Sequence, residues 1–427
     1  MRHMPKLPDI QLPTHLKDRL AQGHPWVYRT HVPPSVRLPS GAWVRARCGS
    51  WSAYALWDAE RPIALRIFSE RQPPDARWVR ERAQAAWDLR APLRDPSTGS
   101  GQGAGCTAYR WLFGEGDGLP GLTADLYGDF VVIQTYMDGA AQLVDWLTDA
   151  LRAIAPLRGI VLKGRVVEDR STADEEESVV DSPLSVEKGR PQRTTNDGLR
   201  TIWGIPPPKN LVVREHGIQF YTDLQGGQKT GLFLDHRENR RFVEGLSAGR
   251  TVLNCFAYTG AFSLYALRGG ARAVVSADIG KGLAEAAAAN VALNGFDAQR
   301  HSFITDDCFE LLSRYVNDER RFDVVVLDPP SFAKSKQSRY AAIRAYTRLN
   351  ALAMRCLTPG GLLASASCTS QVGPEAFKEM LAAAGASADK RFQIIHEAGQ
   401  PIDHPVPAAF PEGRYLKFVV GRVSDIA

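Results

Sequence analysis

The sequence has few cysteines, and their spacing matches neither a disulfide framework nor a metal site. There is no CxxC pair, and the six cysteines stand at positions 48, 106, 255, 308, 356 and 368. Such spacing favours a cytoplasmic protein whose thiols are reduced. We therefore expect no bound metal, and we expect each cysteine to act either as a small buried hydrophobe or as a reactive thiol.

Long apolar runs and a strong charge excess are also missing. The first residues, MRHMPKLPDIQLP, lack the apolar core of a signal peptide, and no stretch approaches the roughly 18 apolar residues of a membrane span. A net charge of +5 allows an anionic partner but does not require one. We expect no membrane partner. With 427 residues the chain is long enough for two or three domains, and a homodimer is compatible with these features.

The chain begins with short apolar runs that are broken by proline and glycine. Over residues 1–75 this pattern predicts a small β-rich domain. Arginines alternate there with aromatic residues, namely Trp26, Tyr28, Trp43 and Trp51. Such a set can hold phosphates and stack on bases, or it can be an aromatic core beneath arginines that reach the solvent. Composition alone leaves both interpretations open.

Two further segments separate this domain from the last one. Residues 76–165 mix helical and strand patterns and predict a central α+β domain. Residues 166–208 contain an acidic run at 174–177 and have no aromatic residue before Trp203. Because so little apolar surface is available there for burial, we predict a mobile insertion between the central and last domains.

Residues 209–427 alternate strand and helix patterns, which predict an α/β domain with a doubly wound sheet. A short strand at 251–253 is followed by NCFAYTG (254–260) and then by a helix, Ala261–Arg268. A glycine-bearing turn after the first strand is where such sheets bind a nucleotide-like ligand. Because this turn has a single glycine, it does not match GxGxxG, and the pyrophosphate of a dinucleotide would fit poorly.

Acidic residues stand at the ends of the next three strands. Asp278 follows the second strand, where a carboxylate accepts hydrogen bonds from ribose hydroxyls. Asp306 and Asp307 follow the third strand, where Asp307 can meet an adenine amino group, and Asp328 follows the fourth. A ribose and an adenine without a pyrophosphate indicate an adenosyl group, so we predict S-adenosylmethionine as the cofactor. One such residue is more often a helix cap, but three successive strand ends favour a site.

The predicted cofactor-binding residues therefore come from the turn and from these strand ends. They are Asn254, Phe256, Tyr258, Thr259, Gly260, Asp278, Asp306, Asp307 and Asp328.

Several longer stretches of the sequence carry a family resemblance. In the last domain they are VLNCFAYTGAFSLYAL, VVSADIG, ITDDCFELL, FDVVVLDPPSFAKSKQ and LLASASCTSQV, preceded by GQKTGLFLDHRENR. Together they resemble the bacterial large-subunit (23S) ribosomal RNA cytosine-C5 methyltransferase family. LKDRLAQGHPWVYRTHV, TAYRWLFGEGDGLPGLTADLYGD and DHPVPAAFPEGRYLKFVV resemble that family's PUA domain, central domain and last hairpin. The resemblance covers most of the chain except the insertion.

The resemblance implies a class I, Rossmann-like methyltransferase domain, a PUA-like RNA-binding domain before it, and large-subunit ribosomal RNA as the partner. It also implies that Cys368, which follows a strand at 362–366, is the nucleophile that adds to C6 of cytosine. Asp328 is expected to hydrogen-bond the base at N3 or N4. The remaining residues expected on the RNA side are Pro329, Pro330, Phe332 and Lys334.

Two residues depart from the family pattern. His236 stands where the family usually has Gln, and Asn254 stands where many class I methyltransferases have Asp or Glu, so both bear on contacts with the methionine end of the cofactor. The other thiols of this domain are expected to pack: Cys255 in the cofactor turn, and Cys308 and Cys356 in helical patterns.

Two other functions remain open at this point. An amino-group methyltransferase would use Asp-Pro-Pro-Ser to hold an exocyclic nitrogen and would need no thiol. A non-catalytic RNA-binding protein would keep the fold without turnover, although the series of acidic strand ends argues against it.

Overall fold

The computed structural model describes residues 7–95, 105–164, 198–224, 232–332 and 339–426. Most of the insertion predicted at 166–208 lies outside these ranges, and so does Lys334. Within the described ranges, no helix is both long enough and apolar enough to cross a membrane.

The N-terminal sheet has five strands in the order β1-β3-β4-β5-β2. They are β1 (Asp9–Gln11), β2 (Trp26–Tyr28), β3 (Trp43–Cys48), β4 (Trp51–Trp57) and β5 (Ile63–Ser69), with helix α1 (Lys17–Ala21) between β1 and β2. In β3, Val44, Ala46 and Cys48 are fully buried while the residues between them are partly exposed. This two-residue alternation places one face on the core. It is the small β-rich domain that the sequence predicts.

The central sheet also has five strands, in the order β10-β9-β8-β7-β6. This unit comprises α2 (Ala76–Leu89), α3 (Ala91–Arg94), β6 (Ala108–Phe113), β7 (Leu122–Tyr127), β8 (Phe130–Thr135), α4 (Ala141–Ile154), β9 (Gly159–Lys163) and β10 (Arg200–Gly204). The last strand corrects the predicted boundary, because β10 lies within 166–208. It pairs antiparallel with β9 at the sheet edge, so the chain returns to the central sheet after the insertion.

The last domain, which we call the catalytic half after its expected activity, begins with a hairpin and continues into a large mixed sheet. Its elements are β11 (Leu211–Glu215), β12 (Ile218–Thr222), α5 (Arg237–Gly245), β13 (Thr251–Cys255), α6 (Ala261–Arg268), β14 (Ala273–Asp278), α7 (Leu283–Leu293), β15 (His301–Thr305), α8 (Cys308–Asn317), β16 (Phe322–Leu327), α9 (Arg339–Arg355), β17 (Leu357–Ser367), α10 (Pro374–Ser387), β18 (Lys390–Ala398) and β19 (Lys417–Asp425). Helix α6 has the predicted bounds, whereas β17 is longer than the predicted strand. Cys255 ends β13 and is not part of the turn, which corrects its assignment.

The large sheet has the order β15-β14-β13-β16-β17-β19-β18, and its first five strands are parallel. Successive residues of one strand contribute to different cores: Val252 of β13 packs on one face and Leu253 on the other. Burial on both faces is usual for parallel strands. The doubly wound sheet predicted from the sequence is therefore confirmed.

A buried carboxylate joins the central unit to the catalytic half. Both oxygens of Asp403 accept hydrogen bonds from the guanidinium of Arg237, at 2.8 and 3.0 Å, and Oδ2 also accepts from the backbone N–H of Arg110 at 3.0 Å. Burial alone would raise the pKa of Asp403, but the adjacent Arg237 holds that pKa well below its usual range. Asp403 thereby fixes β6 against α5.

Candidate active site

The carboxyl ends of the parallel strands meet along one edge of the large sheet. The strand order reverses direction between β13 and β16, and ligands of doubly wound sheets bind outside such a switch point. We call the region after β13, β14 and β15 the cofactor side of this edge. The cysteine side is the region after β16 and β17, together with the start of the antiparallel strand β19.

The turn of the cofactor side has an unusual backbone. Phe256 and Tyr258 have positive φ angles of 58° and 49°, and Gly260 has a φ of 84°. Side chains disfavour this left-handed region, so two non-glycine residues in it store strain, which occurs preferentially at functional sites. Gly260 directly precedes α6, and it is the one residue of the three that adopts this conformation without penalty.

Asp278 holds this turn against the second strand. Its Oδ2 accepts a hydrogen bond from the backbone N–H of Tyr258 at 3.0 Å, and its Oδ1 accepts one from Gly280 at 2.9 Å. A carboxylate has about four lone-pair sites, so two backbone bonds leave it the capacity to accept from two hydroxyls. The side chain is half-buried, which suits a group that contacts a ligand.

Asn254 offers an acceptor at the base of the same turn. Its Nδ2 donates to Oγ of Ser263 at 2.9 Å. Its Oδ1 is buried, and within the described ranges no hydrogen-bond partner reaches it. A buried carbonyl oxygen without a partner costs free energy, and a cationic amine of a ligand would satisfy it. The residues present thus fit S-adenosylmethionine: Asp278 is the predicted contact of the ribose, and Asn254 has an acceptor of the kind that the methionine amine needs.

The two aspartates after β15 have structural interactions of their own. Oδ2 of Asp306 lies 2.5 Å from a guanidinium nitrogen of Arg314. Asp307 caps α8, because its Oδ1 accepts hydrogen bonds from the backbone N–H groups of Phe309 and Glu310. The cap uses Oδ1 alone, so the predicted contact of Asp307 with adenine would involve Oδ2.

The cysteine side is formed by two neighbouring strand ends. In the register of β16 and β17, Leu327 pairs with Ser365. Asp328 therefore lies beside the end of β17, and Cys368 comes directly after that strand. Pro329 is buried and stiffens the loop, whereas Pro330 is exposed. The structure thus brings Asp328 and Cys368 to the same edge.

Cys368 differs from the other five cysteines in exposure. It is half-exposed, while the other five, all within the described ranges, are buried, and none of the six forms a disulfide. Burial raises the pKa of Cys356 to about 12. The pKa of Cys255 is also raised, by its hydrogen bond with Cys308 and by burial. Because the thiolate is the reactive form, neither Cys255 nor Cys356 is suited to nucleophilic attack.

Phe332 and Tyr346 are two aromatic residues close to the cysteine side. Their rings pack at 4.7 Å between centroids, and Oγ of Ser367 donates to the Tyr346 hydroxyl at 3.3 Å. Burial raises the pKa of Tyr346 to about 12, so its hydroxyl stays neutral. Phe332 is half-buried, which leaves part of its ring at the surface. Sequence reasoning did not identify Tyr346, since a tyrosine inside α9 has no local signal.

His236 is a second residue that sequence reasoning did not assign to this side. Its Nε2 lies 3.2 Å from Oδ1 of Asp328, and its side chain is 3% exposed. Nδ2 of Asn239 lies 3.1 Å from Nδ1 of the ring. Because an amide N–H₂ only donates, Nδ1 of His236 accepts. Nε2 lies close to Asp328, but no aligned hydrogen bond joins the two within the described ranges. The sequence signal that could have identified His236 is that the family usually has glutamine at this position.

The arginines and aromatic residues of the N-terminal domain divide between the two interpretations. Arg29 donates to backbone carbonyls of the same domain, and Arg66 is buried and bonds to the carbonyl of Tyr136. Trp51 is buried and donates to Glu70. These residues are structural. Arg37, one nitrogen of which donates to the carbonyls of Pro34 and Val36, and Arg71 are exposed.

Comparisons with known proteins extend over nearly the whole chain. A family model described as S-adenosylmethionine-dependent methyltransferase matches residues 195–406, and one described as PUA-like domain matches residues 10–70. The ribosomal RNA large subunit methyltransferase I of Aeromonas salmonicida (strain A449) is 35% identical over 408 residues, which are 94% of this chain and 96% of the relative. Its counterpart in Erwinia tasmaniensis is 36% identical over 414 residues, covering 95% and 96%.

Solved structures share the fold at lower sequence identity. A protein assigned as a methyltransferase and complexed with SAH superimposes with a TM-score of 0.80 at 23% identity, covering 97% of this chain and all of that chain. A SAM-dependent methyltransferase from Streptococcus mutans gives a TM-score of 0.78 at 22% identity with the same coverage. The arrangement of the three units is therefore shared with proteins of distant sequence.

Proposed function

Because this chain belongs to the ribosomal RNA large subunit methyltransferase I family, we propose that it methylates carbon 5 of a cytosine in large-subunit ribosomal RNA through a covalent bond from Cys368. S-adenosylmethionine is the cofactor, and the fold combines a PUA-like domain with a methyltransferase domain. What we propose is that C5 of cytosine is the methylated atom and that the thiol of Cys368 is the nucleophile.

The observation that carries the proposal is the position and exposure of Cys368. Its thiol is half-exposed directly after β17, and Asp328 follows the neighbouring strand β16. A methyltransferase that acts on an amino group needs no thiol at this place, whereas C5 methylation depends on one. The exposed cysteine therefore favours the cytosine reaction over amino methylation.

Cys368 makes a weak carbon nucleophile reactive. Its thiolate forms a bond to C6, and the electron pair of the C5–C6 double bond moves onto C5. When bound, S-adenosylmethionine supplies the methyl group, as an electrophilic sulfonium substituent, that C5 takes up. A base then removes the proton from C5, the double bond forms again, and the C6–sulfur bond breaks to release the thiolate.

Asp328 stabilises the charge that the addition creates on the ring. Asp328 is expected to hydrogen-bond the base at N3 or N4, where negative charge builds up when the thiolate adds. A protonated carboxyl group donates to N3, and a carboxylate accepts from the N4 amino group. Nε2 of His236 lies 3.2 Å from the same carboxyl group. Because C6 of a stacked base is inaccessible, the target cytosine must be unpaired or flipped.

The N-terminal domain is proposed to dock the RNA. Support comes from the PUA-like match over residues 10–70 and from the exposed Arg37 and Arg71. Arginine contacts to phosphates supply affinity without sequence preference, so the domain would hold the RNA while the catalytic half selects the base.

A mechanism-based trap tests the proposal. RNA that carries 5-fluorocytosine at the target position should form a covalent adduct with the protein, because fluorine at C5 cannot leave as a proton and elimination is blocked. The adduct should require S-adenosylmethionine, and a mass increase on the Cys368 peptide should locate it. Cys368→Ala should abolish both the adduct and the methylation of ordinary RNA.

The matched control is Cys356→Ala, which removes a buried thiol of the same domain. It should retain adduct formation and lose at most stability, since Cys356 packs in the core. Cytosine-C5 methylation by a folded Cys368→Ala variant would refute the covalent mechanism. A methylated exocyclic amino group, with no adduct, would instead establish the amino-methylating alternative.

A further inference from the structure

Lys417 is a buried lysine next to the turn that carries Cys368. It is the first residue of β19 and only 4% exposed. In the antiparallel pairing of β17 and β19, Lys417 lies opposite Ser367, which directly precedes Cys368. A lysine is seldom so deeply buried unless its ammonium group is satisfied by specific partners.

The ammonium group of Lys417 is held in place by two carbonyls. Nζ donates to the backbone oxygen of Thr369, the residue after Cys368, and to that of Tyr415 at 2.9 Å. Carbonyl oxygens solvate a cation but do not neutralise its charge. The positive charge of Lys417 is therefore fixed at the backbone of the cysteine turn.

The charges of Lys417 and Cys368 interact. Burial lowers the pKa of Lys417 to about 8, and negative charge on Cys368 acts in the opposite direction by favouring the ammonium form. With a pKa near 8 the lysine is mainly protonated at neutral pH. Because Coulomb attraction is mutual, a cation that is favoured by a thiolate also favours that thiolate.

We propose that the ammonium group of Lys417 stabilises the thiolate of Cys368, so that the nucleophile is ionised at a lower pH than an ordinary cysteine. This inference deepens the proposed function and rests on its assignment of Cys368 as the nucleophile. A nearby lysine, arginine or protonated histidine is a usual cause of a reactive cysteine.

Among the residues that the structure describes, the other charged and titratable groups around the turn have partners of their own, lie in solvent or carry no positive charge. Lys378, which lines a cavity of about 550 Å³ together with Lys417, lies 3.1 Å from Glu375 and 3.5 Å from Glu397. His404 and Arg414 line the same cavity; His404 contacts the carboxylate of Asp403 at 3.1 Å, and Arg414 is exposed to solvent. On the other side of Cys368, Tyr346 is neutral and Asp328 carries no positive charge.

The alternative role for Lys417 is purely mechanical: it could anchor the Thr369 carbonyl without affecting the thiol. Both roles predict a loss of activity when Lys417 is replaced, so activity does not distinguish them. The ionisation of the Cys368 thiol does, because an anchor has no effect on it when the turn stays folded.

Alkylation measures this ionisation directly. We would treat the full-length protein with iodoacetamide between pH 5.5 and 10 and quantify the modified Cys368 peptide by mass spectrometry. The half-exposed Cys368 should react ahead of the five buried thiols. Lys417→Met should move the midpoint of alkylation upward by about one pH unit, which is about tenfold slower alkylation at pH 7. Lys378→Met, which removes a lysine of the same cavity, should leave the midpoint unchanged.

An unchanged midpoint in a folded Lys417→Met variant would overturn the proposal. If that variant fails to fold, the wild-type protein still decides, because its midpoint must lie below the value of about 8.5 for a free cysteine; a midpoint at or above that value overturns the proposal as well. Neither RNA nor S-adenosylmethionine is needed. The two proposals can therefore fail separately. A low midpoint of Cys368 alkylation together with no 5-fluorocytosine adduct would contradict the cytosine mechanism but not the effect of Lys417 on the thiol.

Discussion

The cofactor side and the cysteine side of the sheet edge are built in different ways. The cofactor side uses consecutive strand ends, and a short turn is held by the single carboxylate of Asp278 through backbone N–H groups. The cysteine side brings together side chains from distant parts of the chain, among them His236, Tyr346 and Lys417. On the proposed assignment, binding of the cofactor therefore depends on local structure, whereas reactivity of the Cys368 thiol depends on long-range packing.

This difference predicts different consequences of substitution. A change on the cofactor side should weaken cofactor affinity and spare the chemical step at saturation. A change on the cysteine side should slow the chemical step and spare most of the affinity. The 5-fluorocytosine trap and the Lys417 alkylation test the cysteine side. The following variants test the division between the two sides, that is, whether one governs cofactor affinity and the other governs the chemical step.

The largest further effect is expected at Asp328. Asp328→Ala should lower kcat about 10²- to 10³-fold, because the charge that develops on the base loses its hydrogen-bonding partner. Single-turnover methylation would give this rate, and calorimetry would give the affinity for S-adenosylmethionine. Asp328 also stands beside the predicted cofactor site, so some loss of affinity is compatible with the division, provided that the loss in rate is larger.

His236→Gln is the matched variant for Asp328. A glutamine amide keeps a polar group next to Asp328, so this variant should keep kcat within about threefold, whereas His236→Leu, which removes the polar contact, should lose about tenfold. Equal rates for the two variants would show that the contact with Asp328 does not position the carboxyl group.

A smaller effect, on affinity alone, is expected at Asp278. Asp278→Ala should weaken S-adenosylmethionine binding by about 1–3 kcal/mol, about 5- to 150-fold, because a charged acceptor of the ribose hydroxyls is lost. Calorimetry on the folded variant would measure it, with Asp297→Ala as control, since Asp297 caps the turn before β15 at the opposite edge. Unchanged affinity would remove Asp278 from the site, and a large fall in kcat at saturating cofactor would contradict the division.

The smallest effect is expected for residues that lie outside both the cofactor side and the cysteine side. Replacing the exposed Arg37 and Arg71 by Gln should weaken RNA binding modestly and reduce the slope of log affinity against log salt by about one per lost phosphate contact. Arg152→Gln on α4 is the control, because this residue is also solvent-accessible but lies in the central unit. If the variant that lacks Arg37 and Arg71 shows the same slope as the Arg152→Gln control and the wild-type protein, the N-terminal domain does not dock RNA through these arginines.

The sequence predicted the cofactor side better than the cysteine side. The bounds of α6, the turn before it and the order of strand ends followed from local patterns. The capping role of Asp307 and the pairing of Asp306 with Arg314 did not follow, because a carboxylate after a strand has the same local pattern whether it caps a helix or binds a ligand. The return of β10 to the central sheet was missed since it follows a long acidic insertion.

By itself the sequence determined the strand-helix alternation, the position of the cofactor turn and the set of thiols, because each depends on residues that are neighbours in the chain. Tertiary structure alone decided which thiol is accessible and what surrounds it. Five cysteines are buried by packing, and Lys417 meets the turn of Cys368 because β19 returns antiparallel to β17 from a later part of the chain. Long-range pairing of this kind fixes a charge beside a nucleophile without leaving a local pattern in the sequence.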